Sequence, residues 1–371
     1  MILKLSTAEI LPKLSQVTAI VNSKNSIPIL DNVLLEIKNN TMNITGSDTS
    51  VWVSMHCNVI EHYEPIRVCV GAHAINNALK NLESDEIVTM DFDTNKNIVV
   101  CNYSTGYFSL PYFSPNEFIM PNYDIEGAIR CDINSTTLAE AISKVSFCAG
   151  NDVLRPQLNS VRFDVDGTQL TCAATDANRL ARFTLETINS NETNGFTLPI
   201  KPAQLLKSIL FGTDGNVTLS FNDKFFTASN DLFKMVSRLP TGAYPKYQRI
   251  IPNDNKIIAT IRKESLISAL KRVIPMGNTN SELVKMYFQD NKVTITADDV
   301  DYNKSAKESV DSDLCGGDIV IGFKGSILIE ALKNIDEDTV KIEMSDPNRA
   351  CVIHGGMREK YMCLLMPIAT M

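Results

Sequence analysis

The side chains able to do chemistry in this chain are mostly cations. Ten basic residues fall on six segments with helical spacing: Lys13, Lys80, Lys144, Lys201, Lys207, Lys263, Lys271, Arg272, Lys324 and Lys333. The same segments hold four acidic residues, Glu9, Glu140, Glu264 and Glu330, which leaves the helices at +6 and the rest of a chain of net charge -8 at -14. One lysine on a helix is ordinarily a solvated residue. Six helices sharing a sign opposite to the remainder predict a basic face wherever the fold sets them on one side. Lysines without a stacking set of aromatics or a recognition helix contact phosphates and do not read bases.

Other arrangements with chemical potential are weaker. His56 and His62, six residues apart with Glu61 and Glu64 nearby, would share one face of a single strand and make a conceivable metal pair, but no third ligand of clear spacing follows. Surface histidines are the expected outcome. His354-Gly355-Gly356 has the composition of an oxyanion loop, yet no nucleophile elbow accompanies it, so it reads as a hairpin turn. The carboxylate pairs Asp298-Asp299 and Asp311/Asp313 read as turn residues. The chain has no GxxxxGK[ST], GxGxxG, HExxH or GxSxG. A binding scaffold is expected, not an enzyme, with no catalytic residue, metal or cofactor.

Composition agrees. The nine cysteines (Cys57, Cys69, Cys101, Cys131, Cys148, Cys172, Cys315, Cys351 and Cys363) are odd in number, scattered and without a CxxC, so buried reduced thiols are expected. The opening Met1-Ile2-Leu3-Lys4-Leu5 turns polar too soon for a signal peptide, and no apolar run approaches the ~18 residues of a membrane span. The expected location is the cytoplasm.

The elements that must position the cations recur. The apolar helical stripe Leu138, Ala141, Ile142 and Val145 returns 128 residues earlier as Ile10, Leu14 and Val17, and 128 residues later as Leu266, Ala269, Leu270 and Val273. Each stripe is followed by an alternating hairpin. Its last Asp (Asp48, Asp176, Asp299) lies 13 residues after a hydrophobic strand residue (Leu35, Phe163, Met286). A second helix type, Ala78-Leu79-Lys80-Asn81-Leu82, returns as Ala331-Leu332-Lys333-Asn334-Ile335, with Ser208 to Phe211 between them, and new strands open at Ile87, Val217 and Val340. The fold class is therefore α+β: three repeats, each a duplicated helix-plus-antiparallel-strands unit, at residues 1–127, 128–252 and 253–371. Pro- and aromatic-bearing runs at 113–121 and 244–252 read as interdomain connectors. Thr7 reads as an N-cap, Pro12 as a first-turn proline and Trp52 as core or interface packing. The apolar tail Met366-Pro367-Ile368 either seals the third core or lines an exposed groove.

Over all 371 residues the chain resembles the bacterial sliding clamp family, the beta subunit of DNA polymerase III. The likeness is carried by Ser26 to Leu30 with Asn32, Arg155 to Leu158, Ala174-Thr175-Asp176 with Arg179-Leu180-Ala181, Tyr244 to Tyr247 with Arg249 to Pro252, and Met366-Pro367. The resemblance implies a head-to-tail homodimeric ring with helices lining a hole around duplex DNA and sheets outside. It also implies that the replicative polymerase, clamp loader and repair proteins dock short linear peptides between the second and third domains. Carried over, that pocket uses Leu158, Thr175, Ala177, Asn178, Arg179, Leu180, Pro245, Arg249, Ile250, Leu364, Met366 and Pro367. Many relatives have Gly-His where this chain has Ala177-Asn178, and Arg-Leu at the end where it has Ala369-Thr370-Met371, so the rim differs. DNA contact carries over to Lys24, Asn151 and Lys201, which join Lys80, Lys144, Lys207, Lys271, Arg272 and Lys333 of the helices. The alternative is a repeat-built peptide-binding scaffold that does not act on DNA, and the direction of the helical lysines discriminates the two.

Overall fold

The computed structural model describes residues 2–22, 25–38, 40–62, 64–121, 127–152, 154–186 and 193–369. Among them are six α-helices: α1 (Thr7–Thr18), α2 (Ala72–Lys80), α3 (Ser135–Ser146), α4 (Ile200–Phe211), α5 (Lys263–Val273) and α6 (Gly325–Lys333). They match the six expected segments to within two residues at either end. None is long and apolar enough to cross a membrane.

Every helix begins at the residue after a strand ends: Ile2–Ser6, Ile66–Gly71, Ile129–Asn134, Thr193–Pro199, Ile257–Arg262 and Ile319–Lys324 run straight into α1 to α6. The helix-then-hairpin reading lacked these strands. Where N-caps are described, at Ser6, Gly71, Pro199, Arg262 and Lys324, no side chain caps the helix. Backbone carbonyls take the first amide instead: Thr7 N–H donates to Glu86 O at 2.9 Å, Ser135 to Gly215 at 2.9 Å, Lys263 to Asp338 at 2.8 Å and Gly325 to Glu282 at 2.8 Å. Thr7 is therefore not an N-cap. It is the first helical residue, and its hydroxyl donates to Glu83 O at 2.8 Å. Pro12 lies inside α1, past the first turn, where its missing N–H removes one helical bond.

The chain forms two compact units, Met1–Ala139 with Thr187–Pro240, and Glu140–Glu186 with Thr241–Met371. The first contains one thirteen-stranded sheet, and its strand pairs are antiparallel. The stripe of α1 (Ile10, Leu14, Val17) is wholly buried against it. Gly46 is where α1 rests closest, since a Cβ there would meet Val17 Cγ1 at 2.6 Å. Its hairpin counterparts are the small residues Ala174 and Ala297. The second unit carries an antiparallel sheet from Ser160–Asp166 through Tyr361–Leu365 to Ile319–Lys324, and the α5 stripe is buried to within 1 %. Each fully buried Leu or Ile of these stripes stabilises its unit by about 1.5–3 kcal/mol over an exposed one.

The cut falls inside the middle repeat because each half of that repeat extends a neighbour's sheet. In the first unit Val51–Asn58 pairs with Phe233–Arg238, with Met55 opposite Phe233 and Val51 opposite Ser237. In the second, Arg179–Glu186 pairs with Tyr361–Leu365, with Phe183 opposite Tyr361 and Arg179 opposite Leu365. Adding 128 to each residue of the first pairing gives the second. One strand join is used twice, in one register.

Asp311 and Asp313 lie within the strand Lys304–Cys315, and Asp298 and Asp299 end Lys292–Asp299, so these carboxylates are strand residues and not turn residues. Eight cysteines are buried and free, and Cys315 is the exposed exception. Burial pushes the Cys57, Cys69, Cys101, Cys131 and Cys351 thiols up to about 12, which keeps them protonated and unreactive. Trp52 is core, 3 % exposed, and its indole N–H donates to Ile119 O at 2.9 Å in the first connector.

Candidate functional site

All twelve residues expected to form the peptide pocket fall in the second unit. They gather around the strand join of Arg179–Glu186 with Tyr361–Leu365 and the connector that follows Thr241. The turn Asp176–Arg179 is fixed from within. The Asp176 carboxylate accepts from Asn178 N–H at 2.9 Å, Arg179 N–H at 3.0 Å and Arg179 Nε at 2.9 Å, while Thr175 Oγ1 donates to Arg179 O at 2.6 Å. Ala177 at the tip has φ 81°, the left-handed region that favours glycine. Arg179 also reaches Glu330 of α6 at 2.6 Å and lies 5.7 Å from the Phe147 ring centre, so its guanidinium is committed to holding the wall together.

Thr175, Leu180 and Leu364 are at most 3 % exposed and form the floor. Leu180 and Leu364 pack with Ala173, Tyr247, Val352 and Met362, and Tyr244 and Ile251 lie against that cluster. Tyr247 donates its hydroxyl to Asp164 Oδ2 at 2.8 Å, and burial followed by the Asp164 charge drives that hydroxyl well above its ordinary titration range. The connector is thereby tied to the strand Ser160–Asp166. Ala177, Asn178, Pro245, Arg249, Ile250 and Met366 are exposed around this floor, with Leu158 and Pro367 half-buried. Exposed apolar atoms around a rigid floor suit short apolar side chains of a partner.

The tail supplies the last wall. Met366 N–H donates to Asn178 O at 2.8 Å, and Ile368 N–H donates to Gly322 O at 2.8 Å. Between these points opens a cleft of about 370 Å³ lined by Asn178, Lys324, Ile327, Met366, Pro367 and Ile368, with Phe323 and Leu365 beneath. Ile368 lines it as one of the tail residues that could form an exposed groove, whereas Phe323, Lys324 and Ile327 were not foreseen there; they arrive through the strand Ile319–Lys324 and the start of α6, which nothing near the tail in sequence announces.

Apart from Lys324, which ends the strand Ile319–Lys324, the helix cations divide into two groups. Lys13 pairs with Glu9, Arg272 with Glu308, and Lys144 with Asp336, and Lys144 also donates to Asn334 O at 2.6 Å. Lys263 donates to Ile335 O at 2.8 Å. These four are structural cations. Lys80, Lys201, Lys271 and Lys333 are exposed and Lys207 half-buried, and among the described residues none makes an ion pair. In the first unit α1 meets α2 through Ser15 and Asn76, 2.9 Å apart. In the second, α3 meets α6 through Lys144. Asn151 is exposed in the loop closed by Gly150 N–H donating to Leu158 O at 2.8 Å. Lys24 lies outside the described residues.

The conceivable pairing of His56 with His62 on one strand does not form. His56 ends its contact at Asp231 O, 3.0 Å away, in the strand Val51–Asn58, whereas His62 belongs to the separate strand Glu61–His62 and accepts from Asn40 N–H at 3.1 Å. Among the described residues no group of three or more His, Cys, Asp or Glu is placed to hold a metal ion.

Three family profiles then account for nearly the whole chain. The N-terminal domain of the DNA polymerase III beta subunit matches residues 1–124, the central domain 132–246 and the C-terminal domain 248–369. The chain belongs to the DNA polymerase III beta subunit family. Within that family, the beta sliding clamp of Pseudomonas aeruginosa is 25 % identical over 361 residues, covering 97 % of each chain. That of Haemophilus influenzae is 25 % identical over 367 residues, covering 98 % of each. The beta subunit structure from Thermotoga maritima superposes with a TM-score of 0.93 at 24 % identity over 100 % of both chains. A Pseudomonas aeruginosa clamp bound to griselimycin gives 0.94 at 23 % identity, also over 100 % of both. The three-domain beta-subunit fold of helices on antiparallel sheets is this chain's fold.

Proposed function

We propose that this chain is a DNA sliding clamp: a homodimeric ring that encircles duplex DNA without reading sequence and tethers the replicative polymerase, the clamp loader and repair proteins through short linear peptides. The observation that carries the reading is the strand join. It is made twice within the chain, and a third copy of each partner strand is left over. Gly106–Phe113 stands in the first repeat where Phe233–Arg238 and Tyr361–Leu365 stand in the others, and Lys304–Cys315 stands where Val51–Asn58 and Arg179–Glu186 do. Over 106–111 the first pairs only with Ile98–Tyr103, and over 304–311 the second pairs only with Lys292–Asp299, among the described residues. A second copy of the chain offers each free edge its complement, twice, and the contact closes.

In this reading the domains are residues 1–127, 128–252 and 253–371. Lys80, Lys201, Lys207, Lys271, Lys333 and Asn151 face the duplex, with Lys144 and Arg272 set back by their ion pairs. The pocket of the second unit takes the peptides. The protein works in the cytoplasm by topology and tethering, without catalysis or cofactor.

The test separates encirclement from ordinary affinity. Loaded by its clamp loader onto nicked circular duplex, the protein remains bound in moderate salt and leaves when the circle is cut once. A binder held by lysine–phosphate contacts alone loses affinity steeply with salt on circle and line alike. Loss from the intact circle at the salt where the ring stays dimeric sinks the reading.

A further inference from the structure

The cleft beside the tail contains one charge. Lys324, counted in the sequence among the helix cations, is the last residue of the strand Ile319–Lys324 and lines the cleft with Asn178, Ile327, Met366, Pro367 and Ile368. The remaining lining is apolar apart from Asn178. Lys324 is half-buried, and among the described residues it makes no ion pair. Neither carboxylate near it along the chain forms an ion pair with it: Glu282, beside its ladder partner Leu283, accepts from the Ser326 hydroxyl, and Glu330 of α6 holds Arg179. The wall facing it is fixed at both ends, by the Met366–Asn178 and Ile368–Gly322 backbone bonds. A rigid, mostly apolar cleft therefore presents a single cation without a salt-bridge partner among the described residues.

We propose that Lys324 makes this cleft selective for peptides that carry an aspartate or glutamate next to their apolar anchors. The proposal rests on the peptide-pocket reading above and adds the chemistry of the second contact. When the cleft is empty the ammonium is hydrated. A docked peptide strips part of that water, and only an anionic side chain restores the lost interaction with a charge-assisted hydrogen bond. A neutral amide restores less, and a lysine opposes it. Asn178 contributes a donor and an acceptor at the same rim and tolerates either charge.

The experiment uses the full chain and three fluorescein-labelled nine-residue peptides that share a Leu-Phe anchor and differ at one residue ahead of it, Glu, Gln or Lys, with that residue scanned over the four preceding positions. At the best position the Glu peptide binds about 3- to 10-fold tighter than the Gln peptide, as a partly exposed charge pair allows. The preference narrows with added salt. Lys324→Gln removes the preference, and Lys324→Glu reverses it in favour of the Lys peptide, with circular dichroism showing the fold retained. Equal binding of all three to the unaltered protein, or a Glu preference that survives Lys324→Gln, overturns the role of Lys324. If the peptides bind equally and all weaken with Met366→Ala, the pocket stands and the Lys324 proposal alone falls. If none binds, both fall.

Discussion

The Met366 amide donates to the Asn178 carbonyl oxygen at 2.8 Å, so the end of the last strand and the tip of a turn nearly two hundred positions earlier form one wall. Both residues remain exposed around it. The side chain of Met366 is thus free to meet a partner while its backbone is held.

That division sets the first expectation. Met366→Ala should weaken an apolar peptide by about 5- to 30-fold, the ~1–2 kcal/mol of a lost anchor, without altering thermal unfolding. Removing Met366 to Met371 should abolish peptide binding and leave retention on circular DNA intact. Unchanged affinity of the truncated protein in a titration would show that the pocket lies elsewhere.

Ala177 holds φ 81° at the turn tip. A Cβ in that region costs roughly 1–2 kcal/mol, part of which glycine returns as backbone entropy in the unfolded chain. Ala177→Gly should therefore stabilise the protein by about 0.5–1 kcal/mol in urea unfolding. A loss of stability would mean that the methyl group makes a packing contact worth more than the strain.

The repeat also fixes a register for the dimer. Val53 pairs with Met235 in the internal join, and their counterparts are Ala306 and Phe108. Ala306→Cys combined with Phe108→Cys should give a covalent dimer under mild oxidation, with Ala306 lying beside Phe108 of the partner subunit. Shifting one cysteine to Lys307 should suppress the cross-link, because the side chain then points to the opposite face. Equal yields from both pairs would argue against strand pairing.

Glu9 offers a pH test. Burial alone would raise its carboxyl, but the hydrogen bond from Lys13, the Asn58 amide and the Lys13 charge together bring it below the ordinary 4.5. A folded value below the unfolded one contributes stability that is present above the ordinary carboxylate range and lost as pH falls through the folded value. Glu9→Gln should cost up to about 1 kcal/mol at neutral pH, and the gap to the unaltered protein should close on acidification. A gap that widens with acid would reverse the assignment.

The apolar stripes of α1, α3 and α5 were legible because nothing but a buried helix face repeats Leu, Ala, Ile and Val at that spacing through three copies. The hairpins were legible because their lengths are equal. The strands ahead of the helices were not. They abut the helices without a turn, so an alternating pattern passes directly into a helical one; at α1, α5 and α6 the carbonyls of Glu86, Asp338 and Glu282 take the first amide with no side-chain cap, and only α3 has one, Asn134 Oδ1 accepting from Thr137 N–H at 3.1 Å. The motifs brought Thr175, Leu180 and Leu364 to one place in the fold, but they gave no sign of Phe323, Lys324 and Ile327, which lie beside the tail where Ile368 bonds to Gly322. Likewise, a charge count treats Lys144 as a free cation, while Asp336, distant in sequence, neutralises it.

The single register of the two internal joins has a consequence for assembly. A join that links the end of one repeat to the flank of the next is directional, and nothing in a directional join limits how many units are added. Newly made chains carry a charged free edge with Lys304, Lys307, Glu308 and Asp311, and an uncharged one between Gly106 and Pro111. Growth stops only if the curvature accumulated per join brings the two ends of a pair of chains together. In the proposed ring, a substitution that flattened one internal join while leaving its strands paired would favour an open filament over closure.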